Sequence, residues 1–374
     1  MKKIRIMIVD AFQGLGGEEE VAFYIYKNLD RSKFDVWLAG PKEAKYFKKK
    51  HPNESEWIKC TTQGKFNIHK MHEFRNIVKK NRIEIINVHG YSAGYFIRLA
   101  CIGLKNVKVI WTMHINIKDI NTLNNFKLFV RTKVENILNK NSAFTNEIIC
   151  VSKASVGDLK ERGIKKIPIR VIHNGVNLKK FANAKHNLPT KDGELCLGFI
   201  SRLSPQKGLP ILLDAMKLLS AENKKIKLLI AGDGELKEYV KVYIQKNHLK
   251  NQVKLIGFQK DISKILKRID AIVLPSYYEC LPMIILEAGS AGIPAIASKV
   301  NGVPEEIKNN INGFLFSKGS TEQLVKCINK YFANKELLVN HGHNAEEIVH
   351  KKFSQDKMIE EYEKTFINII DAKQ

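Results

Sequence analysis

The chain has 374 residues, 44% of them hydrophobic, and its formal net charge is +24. This length is typical of two domains, each with enough apolar residues for a core. The longest apolar segment, "YSAGYFIRLACIGL", falls short of the roughly 18 residues that a membrane span needs and contains Arg98, so we expect no such span.

The first half of the chain alternates β-type runs with helical patterns. The opening segment, "MKKIRIMIVDAF", lacks a small-residue cleavage site, so we interpret it as a first strand and not a signal peptide. The predicted strands are 4–10, 35–40, 83–89, 107–114, 147–152 and 169–175. The predicted helices include 19–29, 69–81, 92–103, 124–139 and 153–162.

A polar stretch without periodicity, 182–194, is typical of a linker, and the alternation restarts after it. The predicted strands of the second half are 195–201, 226–232, 252–258, 270–276 and 293–298. Apolar strands alternating with helices predict parallel sheets covered on both faces. We therefore expect an α/β chain with two doubly wound domains facing across a cleft.

We place the first domain at 1–182 and the second at 183–353. The last segment, 354–372, carries apolar residues at helical spacing, so we expect a helix over 354–374 that returns to the first domain.

The positive charge is concentrated in the first half, where residues 1–182 hold 34 Lys and Arg against 16 Asp and Glu. This asymmetry favours an anionic partner: nucleic acid, an anionic membrane surface or an acidic acceptor. A generally lysine-rich composition is the alternative. The six scattered cysteines contain no C-x-x-C pair and favour free thiols in a reducing compartment.

A glycine-rich loop, "GLGG", follows the first predicted strand and contains Gly14, Gly16 and Gly17. Glycines at a strand-to-helix turn let backbone amides approach a phosphate or sugar closely. A dinucleotide fingerprint would require glycine at 19, where the chain has Glu19. A simple tight turn is the alternative interpretation.

The second domain opens with "GFISRLSPQKG", which places Arg202 and Lys207 where a strand ends and a helix begins. Two cations at that edge of a sheet suit a diphosphate, because arginine offers a planar fork and lysine a point charge. Two exposed surface cations are the alternative.

Two glutamates, Glu279 and Glu287, stand in the otherwise apolar run "ECLPMIILEAGSAGIPAIAS". A carboxylate among apolar residues is costly unless it is paired. Pro282 suits the first turn of a helix, so Glu279 precedes that helix and Glu287 lies in its second turn. The free N–H groups of the first turn attract anions. Hydroxyl acceptors beside an anion site suit a nucleotide sugar.

Several motifs together resemble the retaining glycosyltransferases of family 4, which have the GT-B fold. The run from Glu279 to Glu287 resembles their E-x7-E segment, and "RLSPQKG" resembles their diphosphate motif. The loop "GLGGEEE" resembles their GG-x-E loop. The remaining matches are "VIHNGVNLKKF", "IAGDGEL" around Gly232, "LIGF" and "NGVPEEIKNNINGFLF". The chain departs from the family pattern at Asn177, Ser201 and Cys280.

The resemblance implies a role for each matched residue. Arg202 and Lys207 would neutralise the leaving diphosphate, and Glu279 would accept hydrogen bonds from the donor sugar. His114 would lie beside that sugar; a capping or core histidine is the alternative. The full set of implied donor-binding residues is Gly16, Gly17, Arg202, Lys207, Gly232, Glu279, Leu281, Pro282, Met283 and Glu287, with no metal ligand.

The resemblance further implies a metal-independent hexosyl- or N-acetylhexosaminyltransferase that uses a nucleotide sugar, with UDP the commonest nucleotide of the family. The expected acceptor is a saccharide or lipid-linked saccharide of capsule, exopolysaccharide or lipopolysaccharide assembly. The basic segments 45–51 and 126–140 lead us to expect a cytoplasmic enzyme on the anionic inner face of the membrane.

Three other classes remain as alternatives. A nucleotide-sugar epimerase of the same shape would need no acceptor. A nucleic-acid-binding protein would explain the charge but not the two carboxylates, and no nucleic-acid recognition motif is present, so we expect no nucleic-acid partner. A dehydrogenase is disfavoured by the incomplete glycine fingerprint.

Overall fold

The computed structural model describes most of the chain in two compact units, which we treat separately. The first unit is Met1–Asn174 with Asp356–Gln374, and the second is Gly175–Gln355. The described residues are 2–10, 16–41, 57–60, 68–114, 133, 137, 140, 144–182, 184, 193–222 and 224–372.

Within the described residues, the first unit contains a parallel sheet of seven strands in the order β3-β2-β1-β4-β5-β6-β7. The strands are β1 Ile4–Val9, β2 Phe34–Gly40, β3 Trp57–Lys59, β4 Ile85–His89, β5 Lys108–Met113, β6 Glu147–Cys150 and β7 Ile169–Val171. Four helices that follow these strands are α1 Gly17–Asn28, α2 Ile68–Lys80, α3 Tyr91–Ala100 and α4 Lys153–Glu161.

Alternate residues of β1 pack into two different cores, as expected for a strand of a sheet that is buried on both faces. Ile6 and Ile8 pack on the side of α1. Met7 and Val9 pack on the other side, with α2, α3 and α4. All four side chains are fully buried, which explains why the strand reads as a continuous apolar run.

The second unit contains a parallel sheet in the order β10-β9-β8-β11-β12-β13. Its strands are β8 Glu194–Ile200, β9 Lys225–Ala231, β10 Val253–Gly257, β11 Ala271–Leu274, β12 Ala295–Ser298 and β13 Gly313–Phe316. Its described helices are α5 Leu178–Ala182, α6 Leu209–Ala221, α7 Lys237–Lys246, α8 Ser263–Leu266, α9 Met283–Ser290, α10 Val303–Glu306, α11 Thr321–Ala333 and α12 Lys335–Lys352.

The chain then returns to the first unit through the helix α13, Gln355–Asp371. Its buried residues join the core that contains Ile6, Ile8 and Phe34, and the ring of Phe366 packs edge-on against that of Phe34 at 6.3 Å. The buried residues of α13 in this core are Met358, Ile359, Tyr362, Phe366 and Ile369. The predicted return of the last helix is therefore confirmed.

The boundary between the compact units lies earlier than the predicted boundary after residue 182. Val176 donates its backbone N–H to the carbonyl of Phe353, and α5 packs on α9, so the segment from Gly175 onward belongs to the second unit. Most of the predicted linker, the basic segment 45–51, Gly14 and nearly all of 124–140 lie outside the described residues.

Each sheet has one point where the strand order reverses, between β1 and β4 in the first and between β8 and β11 in the second. Ligands of open parallel sheets bind at such points, beyond the carboxyl ends of the strands. We therefore expect ligand-binding residues in the loops that follow these four strands.

Among the described helices, none is both long and apolar enough to cross a bilayer. The six cysteines are all described, and each is a buried free thiol.

Candidate active site

In the second unit, a salt bridge joins the loop after β8 to the loop after β11. The ammonium of Lys207 lies 2.6 Å from Oε1 of Glu279, and the two side chains are 19% and 8% exposed. Ser276 donates a second hydrogen bond to the same oxygen, at 2.8 Å. With Oε1 held twice, Oε2 makes no hydrogen bond within the described part of the chain.

The backbone around this salt bridge is held by direct contacts between the two loops. Gln206 accepts from the backbone N–H of Tyr277 at 2.8 Å and donates its side-chain amide to the carbonyl of Tyr278 at 3.1 Å. Pro205, Gln206 and Lys207 form a single 3-10 turn that ends at Gly208. The turn thereby presents Lys207 toward the loop of Glu279.

Glycine is required where these loops meet. Gly208 has φ of +65°, and a Cβ there would lie 2.0 Å from the carbonyl oxygen of Pro275. At Gly232, after β9, a Cβ would lie 1.9 Å from the carbonyl oxygen of Ser201. Because Gly208 and Gly232 have no Cβ, the loops after β8, β9 and β11 can approach one another until their backbones are in contact.

The other predicted residues of the second unit follow β8 or lie at the start of α9. Arg202 is exposed, and its guanidinium forms no hydrogen bond or ion pair with a described residue. Pro282 caps α9, Met283 is its first residue, and Glu287 lies half-buried in its second turn, as predicted. Leu281 and Pro282 are buried.

Sequence reasoning missed a second buried carboxyl, Glu306, at the end of α10. Neither of its oxygens has a hydrogen-bond partner in the described structure. Burial raises the pKa of Glu306 well above its usual range, and the negative charges of Glu279 and Glu305 raise it further. Burial therefore disfavours the charged form of this carboxyl. The sequence "VPEEI" gives no sign of which glutamate points inward.

In the first unit, Gly16 and Gly17 stand at the start of α1, as predicted, but one of their amides is occupied. The backbone N–H of Gly16 donates to Oε2 of Glu19 at 2.9 Å in a capping arrangement. A ligand that uses this amide would have to displace the Glu19 carboxylate. Gly17 is exposed.

A neighbouring glutamate, Glu18, lies against the loop after β4. A Cβ on Gly90 would lie 1.9 Å from Oε1 of Glu18, so the carboxyl packs directly on the glycine. Burial, and then the charge of Glu19, raise the pKa of Glu18 to about 8. The charged form is disfavoured because this position offers little solvation.

His114 follows β5 and lies beside His89, which ends β4. Their rings are stacked, with Nδ1 of His89 3.0 Å from Nε2 of His114. Nε2 of His89 is 2.9 Å from Oδ1 of Asn87. Burial lowers the pKa of His114 to about 3, and burial together with His114 lowers that of His89 well below its usual value. His89 is not among the residues to which the motif resemblance gives a role.

The structure thus brings Lys207 and Glu279 together in one unit, and places His114 at the carboxyl end of β5 in the other. These arrangements agree with a transferase whose site is built from strand-end loops. The chain can be assigned to that class by comparison with known proteins.

Residues 180–348 match the family model of glycosyl transferases group 1, and residues 15–180 match that of glycosyltransferase family 4. An uncharacterized glycosyltransferase of Methanocaldococcus jannaschii is 30% identical, over 79% of this chain and 79% of its own. The chain therefore belongs to these glycosyltransferases, as the motif resemblance indicated.

Two further proteins resemble it over nearly its whole length. The UDP-Gal:alpha-D-GlcNAc-diphosphoundecaprenol alpha-1,3-galactosyltransferase of Escherichia coli is 26% identical over 99% of this chain and 98% of its own. The crystal structure of Anabaena HepE in complex with UDP superposes with a TM-score of 0.81 at 20% identity, covering 98% of this chain and 100% of HepE. The latter similarity confirms the GT-B fold.

Proposed function

We propose that the protein is a retaining glycosyltransferase that moves a hexosyl or N-acetylhexosaminyl group from a UDP-sugar to a saccharide or lipid-linked saccharide acceptor. The product would enter a cell-surface polysaccharide such as a capsule, exopolysaccharide or lipopolysaccharide. The observation that carries this proposal is the Lys207–Glu279 salt bridge at the switch point of the second sheet.

The salt bridge supports donor chemistry because its two members have complementary tasks. Breaking a sugar–phosphate bond leaves negative charge on the diphosphate, and preorganised cations such as Lys207 and Arg202 lower that barrier. Glu279 keeps Oε2 available for a sugar hydroxyl while Oε1 is held by Lys207 and Ser276. Half-buried Glu287, one turn into α9, would accept hydrogen bonds from the ribose.

The two cations supply the positive charge that a metal ion would otherwise provide, so the proposed reaction needs no metal cofactor. The proposal predicts full turnover in the presence of EDTA. A loss of activity on chelation that Mg²⁺ or Mn²⁺ restores would contradict it.

The nucleotide and the acceptor are proposed from the relatives. The Escherichia coli relative is named for a UDP-sugar donor and a diphosphoundecaprenol-linked acceptor, and HepE was solved with UDP. Family resemblance supports retention, with the leaving phosphate accepting the proton of the acceptor hydroxyl on the same face of the sugar. The same resemblance supports an acceptor site on the first unit.

The first experiment is a thermal-shift comparison of UDP, GDP, ADP, CMP and NAD without added metal. A ligand at one hundred times its Kd stabilises the native state by about 2.7 kcal/mol. We expect UDP to raise the Tm of the wild type and of Glu347→Ala, which changes an exposed carboxylate on α12. Glu287→Ala should lose the shift. No response to any nucleotide diphosphate would contradict the proposed donor.

A turnover assay then separates transfer from epimerisation. UDP-sugars are incubated with and without undecaprenyl-diphosphate-linked saccharides, and the new linkage is read by NMR. Transfer with the anomeric configuration of the donor supports the proposal. An epimerised UDP-sugar formed without acceptor would indicate the epimerase instead, and an inverted linkage would contradict retention.

The basic first half supports a position on the anionic inner face of the cytoplasmic membrane, since each well-placed Lys or Arg contributes roughly 1 kcal/mol of attraction to anionic lipid. Sedimentation with liposomes tests this directly. Binding to phosphatidylglycerol vesicles that weakens with salt is expected. Equal binding to neutral phosphatidylcholine vesicles would contradict it.

A further inference from the structure

A hydrogen-bonded chain of side chains runs through the first unit and ends at His114. Its members are Asn87 and His89 on β4, Thr112 on β5, and His114 just after β5. Asn87, His89 and Thr112 are completely buried, and His114 is half-buried. Because buried polar groups need partners, each contact restricts the next.

The orientation of the Asn87 side-chain amide follows from the partners of its nitrogen. Its nitrogen lies 3.4 Å from the carbonyl oxygen of Ile110 and 2.9 Å from Oγ1 of Thr112. A carbonyl oxygen only accepts hydrogen bonds, so the NH₂ end of Asn87 must face Ile110. Oδ1 of Asn87 therefore faces His89 as an acceptor.

This orientation determines the tautomer of both histidines. Nε2 of His89 must donate to Oδ1 of Asn87, at 2.9 Å. In a neutral imidazole the other nitrogen then carries only a lone pair. Nδ1 of His89 consequently accepts, and Nε2 of His114 donates to it at 3.0 Å. Nδ1 of His114, on the far side of that ring, is left as an acceptor.

The assignment requires both rings to be neutral. Burial disfavours the charged form of each, and a proton on His114 would also repel one on His89. The ring of Tyr362 on α13 lies 6.5 Å from that of His89, and the Tyr362 hydroxyl is 3.5 Å from Oγ1 of Thr112. The carboxyl of Glu18 on α1 packs against Gly90, the residue that follows His89.

We propose that His89 is a positioning residue which, oriented by Asn87, holds His114 as the Nε2–H tautomer so that Nδ1 of His114 accepts a hydrogen bond from a sugar hydroxyl. This inference rests on the proposed function for the identity of the ligand. The motif resemblance gives no role to Asn87 or His89, whereas here they fix the tautomer of His114.

The tautomer is measured on the whole protein without ligand, by long-range ¹H–¹⁵N correlation of ¹⁵N-histidine-labelled enzyme at neutral pH. His114→Gln and His89→Gln identify the two signals by their loss. We expect a proton on Nε2 and none on Nδ1 of His114. A proton on Nδ1, or a doubly protonated ring, would overturn the proposal. This readout holds whether or not the donor has been identified correctly.

The catalytic consequence is tested with a matched pair of variants. His89→Gln keeps an amide N–H for Asn87 and an oxygen for His114, so it should retain the Nε2–H tautomer and most turnover. His89→Phe removes both partners, so His114 should show mixed tautomers and kcat should fall about tenfold, the equivalent of one lost hydrogen bond. His89→Leu serves as a second apolar variant should His89→Phe not fold.

Two results distinguish this inference from the proposed function. Equal kcat in His89→Gln and in a folded apolar variant would overturn the positioning role while leaving the transferase intact. An enzyme that turns over no nucleotide sugar would overturn the proposed function, and the tautomer measurement would still decide how His89 orders His114.

Discussion

The ammonium of Lys207 is 2.6 Å from a carboxylate oxygen of Glu279, although the two residues are 72 positions apart in the chain. The contact joins the motif after β8 to the motif after β11, and both side chains are largely buried. Removing one member of such a pair leaves an uncompensated charge on the other. The salt bridge therefore supports both the local structure and the proposed chemistry.

Replacement of Lys207 should abolish most turnover. We expect Lys207→Ala to lower kcat by at least a factor of about 10² to 10³, because it removes a preorganised cation from the leaving group. Lys217→Ala, which changes an exposed lysine on α6, should leave kcat unchanged. Steady-state rates with UDP-sugar and acceptor measure both. A folded Lys207→Ala enzyme with near-normal kcat would remove Lys207 from the mechanism.

A side chain at Gly208 should destabilise the protein for two reasons: the backbone φ is positive, and the added Cβ would collide with Pro275. Both Gly208 and Gly319 have positive φ, +65° and +82°, but a Cβ at Gly319 would meet nothing within 4 Å. Gly319→Ala should therefore cost about 1–2 kcal/mol of backbone strain. Gly208→Ala should cost clearly more, because its Cβ collides with the backbone of Pro275. Urea unfolding gives both free energies, and equal losses would show that the contact with Pro275 relaxes.

Glu18 should make the protein less stable as pH rises. Its pKa is about 8 in the native state against 4.5 for an ordinary glutamate. Between these values the native state keeps a proton that the unfolded state has released, so the free energy of unfolding falls with rising pH. Glu18→Gln should flatten this dependence between pH 5 and 8, as chemical denaturation at several pH values would show. An unchanged slope would mean that Glu18 is ionised at neutral pH.

Glu306, in the second unit, should also make the protein less stable as pH rises, because its pKa is raised as well. Glu306→Gln keeps the shape of the side chain and removes the titration, so its stability relative to wild type should increase as pH rises above the ordinary range of glutamate. Glu336→Gln, an exposed position on α12, is the control and should follow the wild type. A constant difference between Glu306→Gln and wild type at all pH values would contradict the raised pKa of Glu306.

Much of the fold could be predicted because the central strands are buried on both faces. The run from Ile4 to Val9 fills two cores at once, so its sequence is apolar throughout and is hard to misread. The strand β3 was missed because it has only three residues, and β13 because its four residues follow a polar loop. Neither is long enough to show a period.

The site was predictable only where a motif is local in sequence. The 3-10 turn that carries Lys207 and the cap at Pro282 follow from glycine and proline chemistry. The partner of each side chain does not, because it comes from another strand. Nothing in "IINVHG" indicates that His89 meets His114, and the register between β4 and β5 sets that contact.

The helix α13 has a consequence for how the protein is made. During synthesis β1 leaves the ribosome early, yet the core around Ile6 and Phe34 stays open until α13 arrives with Tyr362 and Phe366. The second unit, continuous in sequence, can close first. Tyr362 also reaches Thr112 at 3.5 Å, so the hydrogen-bonded chain of Asn87, His89, Thr112 and His114 gains this contact only after α13 has been synthesised.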